Sequence, residues 1–151
     1  MIGASFVEME KMNFRIRQSK DTNHEMVEEI WKKTALLRSV DQSRIYRMLV
    51  KTKFHLLLLA KVDGKVVGAV NAFYGRWVGY IHHLGVHPDY QRRGIGSHLL
   101  SGMCKQLRER KVRLAILFVP VRSTRRQHDD RIRFYRRNGF KGIGKMFVKK
   151  L

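Results

Sequence analysis

Residues 80–100, YIHHLGVHPDYQRRGIGSHLL, decide how this chain is read. A strand runs to Val86, a turn passes through Pro88 and Asp89, and Gln91-Arg92-Arg93-Gly94-Ile95-Gly96 opens a helix. That helix, expected over Gly94–Arg110, carries Ile95, Leu99, Leu100, Met103 and Leu107 on one stripe. The first four amides of a helix have no partner within it, and the helix dipole there favours negative charge. Glycine lets an oxyanion approach the backbone because no Cβ stands in the way. A basic, glycine-punctuated turn at a helix start therefore suits a pyrophosphate. Alone the pattern is unspecific, since any strand-to-helix turn can use glycine. It is neither a P-loop, because no Gly-Lys-Ser/Thr follows, nor the G-x-G-x-x-G dinucleotide fingerprint.

Upstream, HLLLLAKV and KVVGAVNAFY flank Asp63-Gly64, a two-residue hairpin signal, and Val78–Val86 continues the meander as a third strand. NFRIRQ (13–18) alternates polar and apolar residues and reads as the first strand. Asp21 or Thr22 can cap a helix to about Leu37, and Asp41 or Ser43 a second to about Lys51. Downstream, Val112–Val119 is a near-continuous apolar run, as in a strand covered on both faces. Asp129–Asn138 reads as a short helix closed by Gly139, and Lys145–Leu151 as a last strand. The order β-α-α-β-β-β-α-β-α-β describes an α/β chain with one mixed sheet flanked by helices, of the α+β kind, not a doubly wound parallel fold. Residues 1–12 read as a short N-terminal extension and 13–151 as one domain.

The chain has 151 residues, 44% hydrophobic and 29% charged, which excludes wholesale disorder and fits one domain. No apolar run approaches the ~20 residues of a membrane helix, and the first residues lack the pattern of a signal peptide. The expectation is a soluble, cytoplasmic protein without membrane attachment. One cysteine, Cys104, excludes an internal disulfide and a multi-cysteine metal site. The histidines show no metal-ligand spacing, so no metal is expected. The net charge of +20 is uneven: residues 1–50 carry +2, residues 51–100 +5 and residues 101–151 +13. Such a field attracts anions and disfavours small cations such as polyamines.

QRRGIG fits the Q/R-x-x-G-x-G/A signature of the GNAT superfamily of acetyl-CoA-dependent N-acetyltransferases, and LGVHPDY before it is similar to the family's strand end and turn. About forty residues on, FYRRNGF (Phe134–Phe140) resembles the family's second hallmark, an aromatic-Tyr pair on a short helix closed by Gly-Phe. The element order matches as well, and the resemblance covers about residues 13–151. It implies the GNAT fold and transfer of the acetyl group of acetyl-CoA directly to a primary amine: a protein N-terminus, a lysine or a small amine.

The resemblance also assigns residues. The turn Gln91, Arg92, Arg93, Gly94, Ile95, Gly96 and Ser97 would hold the pyrophosphate. Leu84, Gly85 and Val86 would pair with the pantetheine arm, in a gap between this strand and the one at Val112–Val119. The amide of Val86 or Leu84 would polarise the thioester carbonyl. Tyr135 would be the general acid that protonates the thiolate. For the base, histidines on this strand serve in one family member, and His82 matches one of them. Strand alternation puts His82 and His83 on opposite faces, His82 with Tyr80, Leu84 and Val86. Many relatives carry Asn at the start of the short helix; His128 takes that place here, after the basic loop VRSTRRQ. The acceptor would be set by about Asp21–Lys53, and relatives are often dimers, so a homodimer is within what the resemblance allows. A second reading, a nucleic-acid or ribosome-associated binding module on an acetyltransferase-like scaffold, follows from the basic last third. Against it, the sequence offers no evident aromatic platform for single strands.

Overall fold

A computed structural model describes residues 14–18, 24–34, 51–119 and 124–144. The second helix expected near 43–51 and the last strand at 145–151 lie largely or wholly outside these residues. The chain divides into two compact units, Met1–Ile116 and Leu117–Leu151.

The first unit is built on a sheet in the order β1-β2-β3-β4-β5. Strands β1 (Phe14–Gln18), β2 (His55–Val62), β3 (Lys65–Tyr74) and β4 (Val78–Val86) pair antiparallel in succession. The turn between β2 and β3 is the expected one: Asp63 and Gly64 both adopt positive φ, 48° and 78°, as a type I′ hairpin requires. β5 (Leu114–Leu117) joins β4 at its start, where the N–H groups of Arg113 and Leu114 both donate to the Trp77 carbonyl (2.9 and 3.1 Å). The two strands begin side by side and run the same way, which makes the sheet mixed. The antiparallel pairs are zipped along their length, whereas β4 and β5 keep little contact beyond that start.

Each face of the sheet is covered by a helix. α1 (His24–Lys33) buries Val27, Ile30 and Trp31 against Leu57, Leu59, Val66 and Ala69. α2 (Ile95–Glu109) buries the five residues of the anticipated stripe on the other face. Glycines let α2 lie close: a Cβ on Gly79 would stand 2.8 Å from a Leu107 methyl, and one on Gly68 3.1 Å from Leu99. β5 is shorter than the apolar run suggested, and the run is not covered on both faces, since Leu114 and Phe118 are 39% and 43% exposed.

The second unit contains α3, Arg125–Arg137, which begins four residues before the expected Asp129. Thr124 and Gln127 form a capping box: the Thr124 hydroxyl accepts from the Gln127 N–H, and the Gln127 side chain accepts from the Thr124 N–H. The signal T-R-R-Q stood in the sequence inside what read as a loop. At the other end Gly139 (φ 86°) donates to Arg136 O and Phe140 N–H to Tyr135 O (3.1 and 3.0 Å). This is a Schellman closure, completed by the Tyr135 and Phe140 rings 6.1 Å apart.

Candidate active site

After β4 the chain makes one turn of 3-10 helix, Pro88–Tyr90, capped by His87. Gln91 then donates from Nε2 to the Val86 carbonyl (2.9 Å), fastening the turn to the strand end, so its side chain is engaged within the protein. Arg92 and Gly94 adopt left-handed φ of 63° and 81°. For Arg92 this costs about 1 kcal/mol, strain of the kind found where backbone amides form an anion-binding hollow. Gly94 is the N-cap of α2, and no side chain caps the helix. Among the described residues no acceptor takes the amides of Ile95, Gly96 or Ser97; the first bond inside the helix runs from His98 N–H to Gly94 O (3.0 Å). Arg92 and Arg93 are exposed, and no acid occurs from Gln91 to Arg108. An uncapped, glycine-opened, cationic helix start fits the diphosphate of a nucleotide cofactor.

Past its start the strand leading into this turn has little pairing on its β5 side, where the Val86 carbonyl accepts from Gln91. His87 N–H donates to Val67 O across the β3 pairing (2.8 Å). Antiparallel alternation then turns Gly85 toward β3 as well, and turns the N–H and C=O groups of Leu84 and Val86 away from β3, into the opening beside β5. The side chains of Leu84 and Val86 lie on the α2 face.

A β-bulge changes the expected arrangement of the histidines. In the β3–β4 register Asn71 faces His83 but Ala72 faces Ile81, so His82 is an extra residue. Parity flips there. Tyr80 and His83 come to one face, Ile81 and Leu84 to the other, and His82 does not share a face with Leu84 and Val86. The two histidines are not on opposite faces either: their Nδ1 atoms are 3.0 Å apart and one donates to the other. His82 also meets the rings of Tyr80 and Phe73, with centroids 5.2 and 6.1 Å away, while His83 lies 4.9 Å from Trp31 of α1. Burial lowers the pKa of His82; burial, and then the adjacent His82, bring His83 down to about 3. Both rings are neutral at pH 7. The bulge is held by Asn71, wholly buried, whose Oδ1 accepts from His83 N–H (2.8 Å). Sequence reading missed Asn71, although a lone amide inside the apolar KVVGAVNAFY was the signal.

Tyr135 and His128 lie in the second unit. Burial raises the Tyr135 pKa above that of an ordinary phenol, so the hydroxyl keeps its proton at neutral pH. Its ring is flanked by Phe134 (5.2 Å between centroids) and Phe140. His128 is not at the helix start, as expected, but in the helix one turn on, its N–H donating to Thr124 O (3.0 Å). The described residues contain no group of three or more His, Cys, Asp or Glu able to hold a metal, and no helix long and apolar enough to cross a membrane.

Comparison with known proteins accords with this architecture. The sequence model of the acetyltransferase (GNAT) family matches residues 20–140, and the chain belongs to that family. Proteins named acetyltransferases from Pectobacterium atrosepticum and Sodalis glossinidius are 34% and 35% identical to it over 96 residues. Those matches cover 61% of this chain and 66% of each relative's length, just under two thirds. Among solved structures, an aminoglycoside acetyltransferase from a soil metagenomic sample superposes with a TM-score of 0.76 at 16% identity, over 95% of this chain and 99% of that one. A ribosomal-protein-alanine N-acetyltransferase from Brucella melitensis gives 0.73 at 18%, covering 92% and 99% of the two chains. An aminoglycoside N-acetyltransferase in complex with CoA gives 0.75 at 15%, covering 92% and 95%. At such identities the structural likeness concerns the fold.

Proposed function

We propose that the protein transfers the acetyl group of acetyl-CoA directly to a primary amine. The observation that carries this reading is the start of α2, where uncapped amides from Ile95 to Ser97 follow left-handed Gly94 and two exposed arginines. Acetyl-CoA supplies an activated thioester. The amides of the turn bind its diphosphate, with Arg92 and Arg93 adding charge. The groups of Leu84 and Val86 on the open side of β4 pair with the pantetheine arm, and one of the two amides faces the thioester oxygen as charge develops on it. His82, neutral at pH 7 and reaching solvent beside the bulge, accepts a proton from the amine. Tyr135, still protonated, donates to the departing thiolate. His128 adds a cofactor contact only from the second turn of α3.

The field of +20 argues against a polycationic acceptor such as an aminoglycoside and favours a protein N-terminus, a lysine within an acidic segment or an acidic small amine. Isothermal titration with acetyl-CoA, followed by thiol release against a panel of amines and peptides, tests the reading. Binding in the micromolar range is expected, and none at high micromolar concentration overturns it. Tyr135→Phe is expected to lower turnover roughly 100-fold while leaving cofactor affinity within a factor of two or so. Unchanged turnover removes Tyr135 from its role.

A further inference from the structure

The opposite end of β4 carries a surface that acetyl transfer does not use. β4 has nine residues, so its start lies roughly 25 Å from the Gln91–Ser97 turn. Three stretches meet there: Lys53-Phe54 before β2, Tyr74–Trp77 from the last residue of β3 to the start of β4, and Arg110–Leu114 from the end of α2 to the first residue of β5. Tyr74 N–H donates to Phe54 O (2.9 Å), and the Phe54 and Tyr74 rings stand edge to face, 5.9 Å apart. The Arg113 and Leu114 amides are tied to Trp77 O. Phe54 is 51% and Trp77 61% exposed, a large apolar area to leave in water.

Cations sit among these rings. Lys53 Nζ lies 5.2 Å from the Phe54 centroid, and the Arg110 guanidinium 5.8 Å from that of Tyr74. Arg110 is held in place by Gln106, to whose carbonyl and Oε1 it donates (2.9 and 2.8 Å). Arg76, Lys111 and Arg113 are exposed alongside, and the three stretches contain no acid; Glu109, just before them, accepts from Gln106.

We infer that this end of the sheet binds single-stranded nucleic acid, RNA or DNA, with bases stacking on Trp77 and Phe54 and phosphates meeting the surrounding lysines and arginines. Exposed aromatic faces interleaved with cations are the two elements of a sequence-tolerant single-strand platform. A second copy of the chain does not fit, because a symmetric contact would set the five cations against themselves. The surface is separate from the proposed acetyl-transfer site, so either can fail without the other.

Tryptophan emission is a direct probe, since of the two tryptophans Trp31 is fully buried and Trp77 is exposed. Titration of the full chain with a 12-nucleotide oligouridylate at 50 mM salt is expected to quench that emission. By fluorescence anisotropy of a labelled oligonucleotide, Trp77→Ala and Phe54→Ala are each expected to weaken binding roughly tenfold. About five phosphate contacts predict a further loss of roughly 100-fold between 50 and 200 mM salt. A paired variant, Arg76→Glu with Lys111→Glu, is expected to abolish binding while acetyl-CoA affinity, set roughly 25 Å away and largely screened at that distance, changes less than about twofold. Equal affinity of wild type and both aromatic variants overturns the inference, because binding would then be driven by the general charge alone. Preference for duplex DNA, for phosphatidylserine vesicles or for polyglutamate over the oligonucleotide overturns it as well.

Discussion

His83 shows how one residue's surroundings set the behaviour of the candidate site. Its ring is enclosed by Trp31 and His82, and its pKa falls to about 3 from an ordinary 6.5. Between those values the unfolded chain binds a proton that the folded chain refuses. The stabilisation is therefore complete above pH 6.5 and is lost as pH falls toward about 3. His82 is shifted in the same direction and adds to the effect. From pH 7 to pH 5 the His83 contribution is at most about 2 kcal/mol, from 1.5 pH units at about 1.4 kcal/mol each. Urea denaturation of wild type and His83→Gln at the two pH values measures it. The variant is expected to lose markedly less stability on acidification; an equal loss would mean that His83 titrates normally. Neutrality also leaves His82 with an open lone pair at pH 7, which a permanently charged imidazole would not have, whereas His83 stays unprotonated.

Two glycines separate what an element needs for binding from what it needs for packing. Gly94 stands at φ 81°, yet a Cβ there would meet nothing closer than 3.6 Å, the His98 ring. Gly94→Ala is thus expected to cost only the left-handed backbone strain, about 1–2 kcal/mol, and to weaken acetyl-CoA binding as the turn relaxes. Gly79→Ala drives a methyl to 2.8 Å from buried Leu107, so it is expected to cost about 1–3 kcal/mol of stability with acetyl-CoA affinity unchanged. Thermal melts with and without acetyl-CoA distinguish the two; a ligand-induced rise in Tm that is the same for both variants would contradict the assignment of Gly94. These elements were legible because their signals are local: the α2 stripe, the Asp63-Gly64 turn and the Gly139 closure each lie within a few residues. The β4 bulge was not, because strand alternation assumes an unbroken ladder, and the extra residue His82 is specified by Asn71 on the neighbouring strand. The start of α3 was missed for a simpler reason. Arg125 and Arg126 disfavour a helix N-terminus electrostatically, and the capping box beside them overrides that.

At the scale of the whole molecule the dominant quantity is the charge of +20, of which residues 101–151 contribute +13. Few ion pairs among the described residues offset it. Lys33–Glu29 (2.8 Å), Lys32–Glu28 (3.8 Å) and Arg133–Asp130 each join side chains three or four positions apart on one helix. Such pairs contribute little to stability, so screening them removes little. Screening the repulsion among the uncompensated cations removes more, since the Debye length shrinks from about 30 Å at 0.01 M salt to about 10 Å at 0.1 M. Added sodium chloride is therefore expected to stabilise the fold, and at a few degrees of Tm per kcal/mol the rise between 10 and 200 mM should be measurable by calorimetry. The same salt is expected to weaken acetyl-CoA binding, because the field that strains the fold would also draw a diphosphate to the proposed site at the start of α2. A Tm that falls with salt while acetyl-CoA affinity stays constant would mean that specific ion pairs, and not the summed field, govern both properties.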